Sequence, residues 1–492
     1  MNSRPLALLF TPVFSLLTAE ASAFGGIDPF NTSAITPPRA VLSPLPESSF
    51  VPCQAISPTT VFDVLEVVDL ALCQNPSTRE AWANARVQAA QVGVMQAAFL
   101  PALDGKVISN RISNAGTSST QSSAALTLSW LLYDFGARSA NLENARQLLS
   151  AASSTLDATV QNVFLNALQS YYNAQAARAA VTAALESEKA SRESLTAAEV
   201  RYQVGTGTPA DRLQAQTAWS QAMLNRIKAE GVLKSLYGTL ANVMGLDAGL
   251  PLRLADIPET LPEVTFERDI EALISQARER RPDLKAAEAQ IKAAQSSVDY
   301  TRAAGLPTLA LGTGPSWQQT ADSSNTLTSH SSAIGLTLTV PFFSGFSTNY
   351  KVRSAQARVE VAGAQRDALR LQVALDVWSS YQSLITASQT IRTSADLLAS
   401  AEQSERVALG RYKAGVGSIL DLLNAQSALA AARLQRIQSM LDWRVSRASL
   451  AKAVGALDGT LLTPVAGNTQ RSPLFLLRLG RCSLSFQPSA NI

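Results

Sequence analysis

Few side chains in this sequence could do chemistry. Its one histidine, His330, sits in a stretch of serine and threonine, and a metal site needs several clustered ligands, so His330 reads as a solvated loop residue. No GxSxG elbow, phosphate loop, HExxH or CxxC occurs, and the GTG of residues 205–207 lacks the strand-to-helix context of a phosphate loop. The chain therefore reads as a non-enzyme without a cofactor, and energy for any transport would come from a partner. Two acids do stand in a pattern: Thr208 precedes Asp211 by three residues, and Ser418 precedes Asp421 by three. A hydroxyl at a helix N-cap with an acid at the third position is a capping box, favourable to the helix dipole.

Those acids belong to a duplication. Residues 201–218 read RYQVGTGTPADRLQAQTA and residues 411–428 read RYKAGVGSILDLLNAQSA, an offset of 210. The LTLS at Leu126 returns as the LTLT at Leu336, and Gly245 returns as Gly455. Upstream the offset is 206, since Pro76 pairs with Pro282 and Leu100-Pro101 with Leu306-Pro307. One unit of about two hundred residues is present twice, far longer than the ~20 to 50 residue period of solenoids.

The 492 residues are 46% hydrophobic and 16% charged, too apolar for disorder, and a net charge of +3 gives no argument for nucleic acid. Alanine and leucine dominate while aromatics make up 6%, which suits long helices packed through small side chains. Arg4, the apolar run Leu6 to Leu17 and Ala21-Ser22-Ala23 read as a secretory signal over residues 1–23, cut before Phe24. No later segment has the ~18 consecutive apolar residues of a transmembrane helix, so an exported chain that enters a membrane does so as strands. Cys53 and Cys73 flank the first helix expected in the mature chain; they form a disulfide or are two small buried hydrophobes. Cys482 is left over, and nothing near Cys53 resembles a lipid-attachment site.

Residues 24–60, rich in proline and serine, suit an extended arm. A first repeat over 61–250 and a second over 265–460 follow, with a tail over 461–492 to which no role is assigned. In each, a helical stretch (through Asn75-Pro76 to Phe99 in the first) stops at Leu-Pro, and two segments of period-two alternation come next, giving hairpins over about 104–134 and 308–342. Leu126, Leu128 and Trp130 share one face, as do Ile334, Leu336, Leu338 and Val340; NAGTSSTQSS and QQTADSSNTLTSHSS read as the connecting loops. Residues 137–204 hold neither glycine nor proline and as one helix extend about 100 Å. A shorter helix runs from Pro209 to Met244 beyond the Val204-Gly205 turn. Two hairpins give four strands, whereas a membrane barrel needs about eight or more and an open sheet leaves edge amides unsatisfied in lipid. Several copies of the chain must then share one barrel.

ALCQNPSTREAW and RERRPDLKAAE, LSWLLYDFGAR and LTVPFFSGFS, and the two RY…G…D turns, in this order and duplicated, resemble the TolC family of outer-membrane channel-tunnels over about residues 59–457. The resemblance implies an α+β fold, an internally duplicated long-helix barrel with four transmembrane strands per protomer. A homotrimer then builds a twelve-stranded barrel in outer-membrane lipid and a helical tunnel through the periplasm. It also implies docking onto a periplasmic adaptor and an inner-membrane ABC or proton-driven transporter. By motif position, Val204, Gly205, Ala414 and Gly415 are adaptor-docking positions, though glycine after a long helix also simply ends it. Asp421 would form a ring of carboxylates at the closed aperture, with Asp211, Tyr202, Tyr412 and Asn424 in its gating region. Asn424 stands where the family's pattern has a second acid and Gly417 where it has a basic residue, so fewer ionic contacts and weaker cation block are expected. The implied function is a passive export conduit, for type I secretion of a protein such as a toxin or for efflux of small molecules. The reading from another class is a periplasmic coiled-coil scaffold without a channel.

Overall fold

The computed structural model of the chain describes residues 28–39, 53, 61–114, 117–256, 269–322 and 325–457. The expected signal segment, most of the arm and the tail over 461–492 with Cys482 lie outside the described residues. A short α1 (Thr32–Ile35) precedes two copies of one element order. The first runs β1 (Val61–Phe62), α2 (Val64–Gln74), α3 (Pro76–Ala97), β2 (Ala102–Asn114), β3 (Thr117–Tyr133), α4 (Ala137–Gln203) and α5 (Pro209–Val243). The second runs β4 (Arg253–Leu254), α6 (Ile270–Arg280), α7 (Pro282–Ala303), β5 (Thr308–Ala321), β6 (Thr326–Thr339), α8 (Ser347–Lys413) and α9 (Ile419–Ala453). Adding 206 to the bounds of α2 and α3 gives α6 and α7, and adding 210 to those of α4 and α5 gives α8 and α9.

The helical stretch expected through Asn75-Pro76 is broken there, because a residue before proline is pushed out of the α region. Asn75 (ψ 129°) and Arg281 (ψ 124°) take this extended turn in the two copies. The break in the first copy is held by the Asn75 amide donating to Val243 O at 2.9 Å, and in the second by Arg281 bridging Asp283 and Asp376 at 2.6 and 2.8 Å.

The chain forms two compact units. One contains Met1–Pro37, Ala83–Ala152 and Glu288–Gly363 and is organised by a four-stranded antiparallel sheet of order β2-β3-β5-β6. Its strands run further than the alternating apolar segments alone, so the serine- and threonine-rich stretches read as loops are paired backbone, and His330 lies within β6 opposite Trp317. Once the apolar segments set the register, β-branched threonines extend it at no conformational penalty. Serines bond across the ladder, Ser109 to Ser122 at 3.1 Å and Ser316 to Ser331 at 2.8 Å. Arg138 ties the end of β3 to α4: its guanidinium meets Asp134 at 3.0 Å, donates to Leu132 O and Ala98 O, and lies over the Phe99 ring.

The other unit contains Pro38–Trp82, Ser153–Ala287 and Ala364–Ile492. Its core is built twice. Val67, Ala71, Val163, Ala167, Leu240 and Met244 pack α2 against α4 and the end of α5, capped by the parallel pair β1-β4. At the equivalent positions Leu273, Ala277, Val373, Val377, Leu450 and Val454 pack α6 against α8 and the end of α9. Alanines at the contacts let the long helices approach closely, while each buried leucine contributes about 1.5 to 3 kcal/mol. Among the described residues no helix is long and apolar enough to cross a membrane.

Candidate channel-forming site

Directly opposed residues in an antiparallel ladder point to the same face, so the pairing register assigns every strand residue to a side. One side carries Leu103 and Val107 of β2, Leu126, Leu128 and Trp130 of β3, Leu309 and Leu311 of β5, and Ile334, Leu336 and Leu338 of β6. The other carries Asp104, Lys106, Thr127, Ser129, Gly312, Gln318, Ser331, Thr337 and Thr339. The apolar side is bare, with Ile334 at 77% and Leu336 at 66% exposure. A sheet with leucine and isoleucine on one exposed face and threonine, serine and charge on the other is built for two different solvents.

Aromatic side chains mark the limits of that face. The pairing of β3 with β5 slips by one residue between Leu131 and Tyr133, a bulge that brings Tyr133 opposite Leu309 and onto the same side as Trp130. Eight residues further along β5, Trp317 stands on this side between Ala124 and His330. At 3.3 Å per residue the two aromatic levels are about 26 Å apart along the strand, about 20 Å of height at the ~40° tilt of a barrel strand and within the ~25 Å apolar band of a membrane β-barrel. Beyond the nearer level Phe342, Phe343 and Phe346 are exposed at the start of α8.

Strands β2 and β6 are each paired on one side only among the described residues. Each offers 13 or 14 residues of backbone to a further strand. In hydrocarbon such an edge leaves unpaired amides at several kcal/mol each, so this sheet alone does not satisfy a membrane.

The candidate aperture and docking residues lie at the paired helix ends. Both turns have one geometry: in the first, the amides of Thr206 and Gly207 bond to Arg201 O, and in the second those of Val416 and Gly417 bond to Arg411 O. Gly205 and Gly415 sit at φ +77° and +79°, left-handed backbone that glycine adopts without cost. Val204 and Val416 project into solvent beside them. A Cβ on Gly417 would meet Arg411 Cβ at 3.0 Å, as one on Gly207 would meet Arg201 Cβ at 3.1 Å.

The duplicated side chains around these turns are not equivalent. Asp211 completes a reciprocal capping box, its carboxylate accepting from Thr208 N at 3.1 Å while Thr208 Oγ1 accepts from Asp211 N at 3.2 Å. Ser418 Oγ likewise accepts from Asp421 N at 3.1 Å. The Asp421 carboxylate, however, takes no hydrogen bond or ion pair among the described residues, and it shares an exposed face with Asn424. Tyr412 is 5% exposed, packed with Leu195, Ile419 and Leu422, and Arg201 lies over its ring at 4.8 Å and donates to Tyr412 O at 3.1 Å. Tyr202 is 41% exposed beneath the Arg212 guanidinium. The structure thus brings Asp421 and Asn424 together and buries Tyr412 away from that face.

Cys53 and Cys73 are joined in a disulfide with their Cα atoms 5.9 Å apart, and Cys73 lies inside the last turn of α2 rather than beside it. Asp69, one turn earlier and 3% exposed, accepts the Cys53 amide at 2.6 Å; burial raises its pKa above the ordinary carboxylate value, with the Cys53 hydrogen bond opposing. These three residues are the cluster of metal-type ligands among the described residues, and with both sulfurs joined no thiolate remains for a metal. Sequence reasoning missed the bulge at Leu132, the Arg138 clasp and Arg201. The RY pair at each turn was the available signal for the last.

Residues 67–246 and 273–456 match the profile of the family described as outer membrane efflux protein. The protein CyaE of Bordetella pertussis is 32% identical over 400 residues, covering 80% of this chain and 84% of that protein. The alkaline protease secretion protein AprF of Pseudomonas aeruginosa is 26% identical over 359 residues, covering 70% and 72%. Among solved structures, the CmeC outer membrane channel of Campylobacter jejuni superposes with a TM-score of 0.70 over 80% of this chain and 86% of that one, at 19% identity.

Proposed function

The chain belongs to the outer membrane efflux protein family, and we propose that it is the outer-membrane duct of a tripartite export system, working as a homotrimer. One observation carries this reading: a two-faced sheet of four long strands whose outer two are paired on one side only. Joining β6 of one protomer to β2 of the next satisfies both rows of edge groups, and three protomers make twelve strands, a closed barrel of ordinary size. The apolar face then meets lipid, with Trp130, Tyr133 and Trp317 at its two interfaces. Arg111, on that face and opposite Thr120 near the outer end, reaches lipid phosphates. The face bearing Asp104, Lys106 and Thr337 lines the pore.

The paired turns at Gly205 and Gly415 face the periplasm, where Val204, Gly205, Ala414 and Gly415 meet a periplasmic adaptor joined to an inner-membrane transporter. Threefold symmetry makes the free carboxylate of Asp421 a ring that attracts cations. Asp211, committed to its cap, contributes to helix stability instead. The cargo proposed is a protein exported by type I secretion, the reading that the name of the AprF relative favours; efflux of small molecules is the other branch.

The experiment is reconstitution. Purified from the outer membrane, the chain should crosslink as a trimer and form long-lived conducting pores in planar bilayers. A non-conducting monomer confined to the soluble periplasm would establish the scaffold reading in its place. Deleting the gene then separates the branches, since loss of one secreted protein with unchanged drug susceptibility supports secretion and the reverse supports efflux.

A further inference from the structure

We infer that the flank of α4 beside the paired turns is a docking groove for an acidic helix of the periplasmic partner, and that only one of the two duplicated flanks has this character. The inference rests on the adaptor-docking reading above and adds to it the chemistry of the partner and the place it occupies.

A groove of about 650 Å³ runs along the last three turns of α4 to the end of α8. Its floor is apolar, formed by Ala197, Val200 and the Tyr412 ring, and its rim carries Lys189, Arg192, Arg201 and Lys413 against the single acid Glu193. Four cations and one acid leave +3 around the groove, three of the cations on about 18 Å of α4 from residue 189 to residue 201 and Lys413 at the end of α8. An apolar floor with a cationic rim fits an amphipathic helix that pairs leucine with glutamate or aspartate; a free small anion would leave the floor bare.

The duplication supplies an internal control. Subtracting or adding 210 places Ala399 at the position of Lys189, Glu402 at that of Arg192, Gln403 at that of Glu193 and Gln203 at that of Lys413. Arg411 matches Arg201, and Arg406 stands at the position of Thr196, so the second flank carries two cations and one acid. The backbone of the two turns is the same to within 2° in φ at the central glycine, so the difference lies in the side chains, in charge and in Gly410 standing where the first flank has Val200. Even with Arg212 over the Tyr202 ring counted in, the second flank carries less positive charge, so in the proposed trimer three strongly basic grooves alternate with three less basic flanks, and an acidic helix favours the basic set.

The test uses the full trimer in detergent and two synthetic helical hairpins: one with leucines and three glutamates on successive turns of one face, the other with lysines replacing the glutamates. The glutamate hairpin should bind the wild type, and raising salt to about 0.5 M should weaken it. The double variant Lys189→Glu/Arg192→Glu should lose about tenfold in affinity for it and gain the lysine hairpin. The milder Lys189→Gln/Arg192→Gln should fall between, and elution as a trimer reports folding of each variant. If the glutamate hairpin binds the charge-reversed trimer as tightly as the wild type, or both hairpins bind the wild type equally, the groove assignment is wrong. Absence of conductance by the wild type sinks the duct instead, so the two failures are distinguishable.

Discussion

The register of the sheet predicts that two neighbouring residues respond in opposite ways to the same substitution. Ile334 lies on the apolar face, 77% exposed, four residues from His330 at the level of Trp317 and four from Leu338 at the level of Tyr133. Each interval is about 13 Å, so Ile334 sits at the bilayer midplane if that face meets lipid. Ala333, the next residue, points to the polar face with Gly314 opposite it. An arginine on the lipid face at midplane costs about 2 to 4 kcal/mol, and three copies in the trimer put the cost of Ile334→Arg at about 6 to 12 kcal/mol per assembled barrel. Ala333→Arg adds a cation to an aqueous lumen and costs about 1 kcal/mol or less, while lowering cation conductance through its charge. Urea titration of barrels folded into lipid vesicles, followed by the mobility of unheated trimers on gels, measures the difference. Equal loss at both positions, or greater loss at Ala333, would refute the assignment of faces and with it the membrane role of this sheet.

Four further outcomes follow from individual sites. Asp421→Ala should change conductance and divalent-cation block in planar bilayers. Asp211→Ala should leave block unchanged while costing about 0.3 to 1 kcal/mol of stability through the lost reciprocal half of the capping box, seen as a lower thermal midpoint; the opposite pattern would reverse the two roles. Burial holds the Asp69 carboxyl above its ordinary pKa, so its contribution is complete in acid below the ordinary value and is lost as pH rises through the raised one. Asp69→Asn should therefore flatten the decline of thermal midpoint as pH rises above the ordinary carboxylate range, and an unchanged slope would show that burial does not hold the carboxyl protonated. Replacing Cys73 by serine opens a loop of 20 residues and should cost about 3 kcal/mol in the chain-entropy account, measured as a reduced midpoint that added reductant does not lower further.

The duplication, the long helices and the existence of two hairpins were legible because each rests on local pattern. A run without glycine or proline from residue 137 to 204 has few alternatives to a helix, and a 210-residue offset survives substitution at most positions. The reach of the strands was not legible. Asn114, Ser118, Ser119 and Ser122 favour turns when considered alone, and only their partners across the ladder, such as Ser109 for Ser122, make them strand. Likewise the bulge at Leu132 depends on where β5 meets β3, which no periodicity within β3 records. The two tyrosines following Arg201 and Arg411 have the same local sequence yet one is buried and the other half exposed, because Tyr412 packs with Leu195, Ile419 and Leu422 while Tyr202 lies outside that cluster beneath Arg212.

Why two copies are useful follows from where they have diverged. A trimer of a perfectly duplicated chain would have six equivalent helical pairs around its axis, and every partner or ion would meet six equal sites. The packing positions, Val67 with Leu273 and Leu240 with Leu450, keep that near-sixfold wall. The helix ends depart from it. Asp211 is bound into its cap while the Asp421 carboxylate is free, and Lys189 and Arg192 face Ala399 and Glu402 as counterparts. In the proposed trimer each departure would leave three sites of one kind and three of another, which would let an aperture close with three charges, fewer than six mutually repelling ones, and let a partner find its register. The same packing positions filled twice with differing helix ends are what a conduit needs if one end must open and be recognised while the rest only stays sealed.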